Sequence, residues 1–152
     1  AQSLARWRAA YGSDTDFTTN IVSDVLFRSP ALQLASHHAA SGNAGFVYSF
    51  DARPENAPAA LKGAPHAAER RFMFDTLDKG GEAPTPAERR LAKVMADRWI
   101  SFAQSGRPGN DWPAWDMRKR SLLRLGLSET APVSLPSSPL GDLLLGLDGT
   151  RP

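Results

Sequence analysis

The chain has 152 residues, of which 41% are hydrophobic and 22% charged, a composition typical of a globular domain and not of a disordered segment. Its 18 basic and 16 acidic side chains leave a formal charge of +2, too small to indicate a nucleic-acid or anionic-membrane partner. No apolar run approaches the roughly 20 residues that a membrane span needs. With no cysteine, the sequence cannot form a disulfide or a thiolate nucleophile, and it leaves the compartment undetermined.

The first third of the chain is predicted to be helical. The end of one helix, stopped by Gly12, is indicated by helical spacing of Leu4, Trp7 and Tyr11. A second helical stretch keeps an i, i+4 rhythm at Phe17, Ile21, Val25, Leu32 and Ala35. Pro30 interrupts it, which predicts either a helix kinked at that residue or two helices with Ser29 as the N-cap.

Residues 45–50, "GFVYSF", are predicted to form a strand. The segment is rich in aromatic and branched side chains, and it is apolar on both faces except at Ser49. That pattern is typical of a strand covered on both sides in a mostly parallel α/β sheet. A long loop with several prolines then leads to His66, and loops of such length are often functional.

The clearest helix is predicted after Thr85. This residue caps it, Pro86 takes the first position, Glu88 completes a capping box and Gly106 ends it. Its core stripe is predicted to be Leu91, Val94, Met95, Trp99 and Phe102. Two packing anchors are predicted in the next loop, at Trp112 and Trp115. A second strand is predicted over residues 121–127. From Ser128 onward the chain is rich in Pro, Ser and Leu and shows no convincing period.

Two strands with apolar faces are not a stable sheet in water. The sequence therefore predicts that further strands come from outside these residues, or that the strand predictions are wrong. The first residue is Ala1 and not Met, so we expect that a leader or a longer chain was cleaved upstream.

Histidines are the main candidates for chemistry. His37 and His38 fall near the end of a predicted helix, where cations are favoured, and we expect a surface or capping role for them instead of a metal site. His66 lies on a loop after a buried strand, the usual place for catalytic groups in α/β folds, and Glu69 follows it. Residue pattern alone leaves a structural histidine open, because no G-x-S-x-G elbow, phosphate loop or metal motif accompanies it.

Three segments, taken in order, resemble the C-terminal third of the type-B carboxylesterase family, which includes cholinesterases and para-nitrobenzyl esterases. They are "GFVYSF", "GAPHAAERRFMF" and "LAKVMADRWISFAQSGRPGNDWPAWD", and the resemblance covers roughly residues 10–127. The earlier "SDVLFRSP" is similar to the family as well. The resemblance implies an α/β fold, with residues 1–152 forming the C-terminal part of a single α/β-hydrolase domain: the last strands of its sheet plus flanking helices.

The same resemblance implies a serine esterase whose triad runs in the order Ser, acid, His. His66 would be the catalytic histidine, while the serine, the acid and the oxyanion loop would precede residue 1. The implied partners are the N-terminal remainder of the same protein and a small-molecule ester substrate, without a cofactor or metal. The chain alone is then expected to be inactive.

Glu69 is interpreted as a buried supporting group and not as the triad acid, because a residue at i+3 points along its own helix. The chain departs from the family at Ala67, where the family has glycine, and at Trp115, where it has tyrosine. Two alternatives stay open: a non-catalytic cholinesterase-like binding module, and an inert small helical interaction domain.

Overall fold

A computed structural model of the chain describes residues 13–53, 63–80, 83–135 and 139–146, together with Ala5, Arg8, Ala9, Tyr11 and Ser137. These residues divide into two compact units, residues 1–45 with 135–152 (unit 1) and residues 46–134 (unit 2). In the described part of the chain, no helix is long and apolar enough to span a membrane.

The elements are, in chain order, α1 (Asp14–Ser23), a π-helical turn (Asp24–Arg28), α2 (Ser29–Ala40), β1 (Tyr48–Phe50), α3 (Glu69–Met73), a 3₁₀ turn (Leu77–Gly80), α4 (Pro86–Ser105), β2 (Ser121–Leu125), β3 (Thr130–Ser134) and α5 (Pro139–Leu145). Leu4, Trp7 and Gly12, on which the predicted first helix and its end rest, lie outside the described part. Ala5, Arg8 and Ala9 are helical. Residues 54–62 of the predicted loop also lie outside it.

Unit 1 contains α1, the π-helical turn, α2 and α5. Helical backbone continues from Asp14 to Ala40, and it widens just before Pro30, where the Ser29 N–H bonds to the Asp24 carbonyl five residues earlier. Because proline has no N–H and its ring clashes with the carbonyl four residues before it, the wider turn accommodates Pro30 without ending the helix.

The predicted N-cap at Ser29 is therefore wrong. Ser29 has helical dihedral angles, φ −64° and ψ −43°, and its hydroxyl is buried without a hydrogen-bond partner. An N-cap residue would need an extended backbone so that its side chain could reach the next turn. The irregularity at Pro30 was predictable, but its form was not.

A buried carboxylate lies at the centre of unit 1. Asp24 is completely buried, pairs with Arg28 one turn later and accepts a hydrogen bond of 3.2 Å from the Tyr11 hydroxyl. On α2, Leu32 is buried, and Gln33 donates to the Leu144 carbonyl of α5 at 2.8 Å. Large apolar side chains nevertheless stay exposed in this unit: Val22, Val25, Leu26, Phe27 and Leu34. Val25, one of the apolar positions of the predicted helical rhythm, is among them.

Unit 2 is built on a three-stranded mixed sheet in the order β1-β2-β3. β1 pairs with β2 in parallel, with Tyr48 opposite Leu123, and β3 pairs with β2 antiparallel, with Leu123 opposite Pro132. Strands lie within the predicted ranges 45–50 and 121–127 but are shorter. The pairing of β1 with β2 is parallel, in agreement with the expected sheet type, whereas that of β2 with β3 is not. The prediction of only two strands was wrong.

β3 was missed because Pro132 lies in its middle. The Leu123 N–H points toward β1, where it bonds to the Val47 carbonyl at 3.0 Å, so the opposing Pro132 is at a position that makes no hydrogen bond to β2. The N–H that proline lacks would face away from the sheet. Pro132 is therefore tolerated on this outer strand.

The longest helix, α4, covers the sheet and follows the sequence prediction closely. Thr85 and Glu88 form the predicted capping box, and Gly106 ends the helix in the left-handed conformation at φ 71°. Of the predicted stripe, Leu91 and Met95 are buried, Val94 and Trp99 are half-buried, and Phe102 is exposed, so the prediction was wrong at Phe102. The core cluster of unit 2 consists of Ala52, Phe72, Leu77, Leu91, Ala92, Met95, Trp112, Leu123 and Leu125.

Aromatic side chains connect β1 to α4 and to the loop after it. The Tyr48 ring contacts Trp99 and Trp112 edge-on, with centroids 5.3 and 6.0 Å away, an arrangement that stabilises beyond simple burial. Trp112 is buried and donates its indole N–H to the Val47 carbonyl at 2.9 Å. Trp115 is buried as well, so both predicted anchors are confirmed.

An ion pair holds the loop that follows α4. Arg98 donates to both carboxylate oxygens of Asp111 at 2.7 and 2.6 Å, and its side chain is only 14% exposed. Gly109 lies beneath it with φ 135°, where a Cβ would come within 2.8 Å of the guanidinium. The hydrogen bond from Arg98 holds the pKa of Asp111 below its usual range.

We predict that Asp111→Asn destabilises the protein by about 1 kcal/mol at neutral pH, because it leaves the largely buried Arg98 guanidinium without its charged partner. The loss is no larger because solvent screens the exposed carboxylate of Asp111. A carboxyl with a lowered pKa contributes stability above the ordinary pKa of about 3.9 and loses it as the pH falls through the lowered value. In urea unfolding, the difference between variant and wild type should thus shrink below about pH 4.

The matched control is Asp97→Asn, which breaks the exposed pair with Lys93 and should change stability little at either pH. Equal losses from the two variants would contradict a special role for the pair of Arg98 and Asp111.

Candidate functional site

His66 lies on a tight turn between the loop and α3. The Pro65 carbonyl accepts a hydrogen bond from the Ala68 N–H at 3.2 Å, which closes a four-residue turn with His66 and Ala67 at its centre. Gly63, before the turn, has φ 93°. The His66 side chain is exposed, so the turn presents the imidazole at the surface of unit 2.

Ala67 has a left-handed backbone, with φ 61°. A positive φ at the third residue of a turn is the feature that favours glycine in type II turns, and the resemblance places a glycine at this position in the family. For an alanine, the same conformation costs roughly 1–2 kcal/mol. The chain therefore retains a backbone geometry suited to glycine although its residue is alanine.

The short helix α3 follows the turn directly. Its Phe72 is buried and contacts Phe50 of β1 edge-on, with centroids 5.2 Å apart. At the other end, Arg71 donates to the Leu77 carbonyl at 2.6 Å. No side chain caps the start of α3, and this helix is held by packing: Phe72 contacts Phe50 of β1, and the helix lies against α4.

Glu69 is the first residue of α3 and is half-buried. Its carboxylate acts on Tyr48 of β1: burial, and to a lesser degree the charge of Glu69, raise the pKa of the Tyr48 phenol above its ordinary value. Tyr48 was not predicted as part of the site. The sequence carried no signal for it, because Tyr48 and Glu69 are far apart along the chain and only the fold brings them together.

The other two histidines lie elsewhere. His37 and His38 are exposed in the last turn of α2, in agreement with the predicted surface position. Within the residues that the structure describes, no group of three or more His, Cys, Asp or Glu side chains could hold a metal ion. The described site therefore offers the His66 imidazole for proton transfer, and the nearby start of α3 places Glu69 close to Tyr48.

Comparisons with known proteins define the class of this fold. A PNB esterase structure superposes with a TM-score of 0.76 over 93% of this chain and 30% of that chain, at 29% sequence identity. A thermophilic PNB esterase gives a TM-score of 0.73 at 28% identity. The predicted α/β-hydrolase fold class is thereby confirmed.

The family follows from sequence matches. The carboxylesterase family model matches residues 6–137. The medium-chain fatty acyl-CoA hydrolase precursor of Anas platyrhynchos is 35% identical over 109 residues, 66% of this chain and 19% of that protein. Human carboxylesterase 5A is 35% identical over 120 residues, 70% of this chain and 21% of that protein. The chain belongs to the carboxylesterase family, and it spans about a fifth of the length of these relatives.

We predict that Glu69→Gln lowers the pKa of Tyr48 but leaves it above the ordinary value of about 10, because burial, the larger cause, remains. Tyr11 and Tyr48 are the two tyrosines of the chain, so a Tyr11→Phe background isolates Tyr48 in a titration of tyrosinate absorbance. A raised phenol pKa contributes stability below about pH 10 that is lost at higher pH. Part of that contribution should disappear in Glu69→Gln.

The control is Glu129→Gln, which removes a carboxylate paired with Arg124 at 2.9 Å. It should leave the Tyr48 titration unchanged. A Tyr48 titration that does not respond to Glu69→Gln would contradict the proximity of these two side chains.

Proposed function

We propose that this chain is part of a serine carboxylesterase and supplies its triad histidine, His66. The observation that carries the proposal is the placement of His66: it occupies an exposed tight turn directly before α3, in a segment that resembles the histidine region of the family. Family membership supports ester hydrolysis as the activity. The serine, the acid and the oxyanion donors would come from the remainder of the protein.

In this mechanism the neutral imidazole of His66 takes the proton of the serine hydroxyl while the serine oxygen attacks the ester carbonyl. The protonated imidazole then gives that proton to the departing alcohol as the acyl-enzyme forms. Water then attacks the acyl-enzyme: the imidazole takes a proton from the water and gives it to the serine oxygen, and the carboxylic acid is released. A carboxylate outside this chain would orient the imidazole and stabilise its charged form.

Glu69 has a supporting role in the proposal. It begins α3, three residues after His66, and its carboxylate is close enough to Tyr48 to influence the phenol. This half-buried carboxylate thus lies toward the strand at the start of α3. We therefore assign Glu69 to support of the turn and not to proton transfer.

The partner in this proposal is the N-terminal remainder of the same protein. Two features of the described residues favour it. Unit 1 exposes five large apolar side chains on α1, the π-helical turn and α2, more than a free surface usually carries in one region. In addition, no described strand pairs with the outer edge of β1, and an unpaired edge invites another strand.

The proposed substrate is a small-molecule ester. One relative is named as a fatty acyl-CoA hydrolase and another as a carboxylesterase, names that share cleavage of an acyl bond. Para-nitrophenyl acetate, a small activated ester, is therefore a suitable first probe.

We predict that His66→Ala reduces kcat of the full-length protein for para-nitrophenyl acetate by at least about 10³-fold, the range seen when a triad member is removed. Glu69→Gln should retain far more activity. His37→Ala and His38→Ala are matched controls, because both histidines are exposed at the end of α2; they should keep kcat within about twofold. Turnover that survives His66→Ala would contradict the proposal.

We further predict that kcat/KM of the full-length protein falls as the pH is lowered, since a histidine base works in its neutral form. Stopped-flow assays from pH 5 to 8 measure this. A flat profile over that range would contradict histidine as the base.

A further inference from the structure

The backbone conformation of the turn that presents His66 is not the one that its own residues favour. Its central position, Ala67, has φ 61°, whereas an alanine in a free chain strongly prefers negative φ. Glycine would populate positive φ about as readily as negative. A conformation that its own residue disfavours must be imposed by neighbouring contacts.

The hydrogen bonds described at the turn are weak. The Ala68 N–H donates to the Pro65 carbonyl at 3.2 Å, and Arg70 donates to the Ala67 carbonyl from its backbone N–H and from its Nε, both at a long 3.4 Å. Each such bond contributes about 1 kcal/mol or less, comparable to the cost at Ala67. Helix α3 contains five residues and has no side-chain cap, so it is too short to be stable by itself. Neither the turn nor the helix is stable alone.

Packing of Phe72 against Phe50 connects α3 and the turn to the sheet, beside the contact of α3 with α4. Phe72 is buried, and its ring meets Phe50 edge-on at 5.2 Å. Phe50 belongs to β1, which is held by pairing with β2. The rigid sheet thus fixes Phe72, Phe72 fixes α3, and the start of α3 fixes the turn.

We infer that Phe72 is a positioning residue for His66: its packing against Phe50 holds the turn over residues 65–68 in the left-handed conformation that presents the imidazole. This inference rests on the proposed role of His66 as the triad base. If packing of Phe72 weakens, Ala67 relaxes to negative φ and the imidazole leaves its working position.

The test measures kcat and KM of the full-length protein for para-nitrophenyl acetate. Phe72→Leu should lower kcat by about tenfold, since misplacement of a catalytic group by about 1 Å can cost 10²-fold, and it should leave KM within about twofold. Adding Ala67→Gly to Phe72→Leu should restore most of kcat, because glycine adopts the turn without help from α3.

Two matched controls separate positioning from general loss of stability. Ala68→Gly is adjacent to Ala67, but Ala68 has φ −63°, so glycine there should not rescue Phe72→Leu. Leu122→Ala removes a buried side chain of β2 that lies outside the core cluster containing Phe72. It should lower the melting temperature at least as much as Phe72→Leu and leave kcat of the folded protein unchanged.

The inference is overturned if Ala67→Gly fails to rescue Phe72→Leu, or if Leu122→Ala lowers kcat equally. Should Phe72→Leu not fold, Ala67→Gly alone provides the test: on heating, its activity should persist several degrees closer to global unfolding, followed by tryptophan fluorescence, than wild-type activity does, and an unchanged gap overturns the inference. Activity retained in His66→Ala would instead overturn the proposed function.

Discussion

Unit 2 depends on the alternation of side chains along one short strand. Tyr48 and Phe50 project from the same face of β1, two residues apart, and they attach different elements: Tyr48 contacts Trp99 of α4, and Phe50 contacts Phe72 of α3. Directly before β1, the Val47 carbonyl accepts hydrogen bonds both from the Leu123 N–H of β2 and from the Trp112 indole. A register shift of one residue would reverse the faces and detach both helices.

The parts of the fold that were predictable from sequence are those specified by local interactions. The capping box of α4 and its terminal Gly106 involve residues within one helical turn, and the structure reproduces them. β3 was missed because a proline weakens the strand pattern. Pro132 fits in this strand only because its position needs no N–H toward β2, and the pairing register that decides this is not visible in the sequence. The π-helical turn before Pro30 was missed for a similar reason: spacing shows that a helix is disturbed, but not how it adjusts.

The candidate site divides in the same way. The motif around His66 and the helical segment beginning at Glu69 were predictable from the sequence. The glycine that the family has at the position of Ala67 indicated a backbone with positive φ there. The proximity of Glu69 to Tyr48 could not be predicted, because 20 positions of chain separate these residues and only the fold brings them together. The link from Phe50 through Phe72 to the turn is likewise a product of tertiary packing.

Pro132 has a consequence for the direction in which the sheet can grow. On the outer side of β3 it removes a backbone donor, so that side is a poor template for another strand. The opposite side, at β1, has no proline among Tyr48, Ser49 and Phe50. The two edges of the described sheet therefore differ: the β3 edge is a poor template for a further strand, whereas the β1 edge, on the strand that leads to His66, keeps its backbone donors.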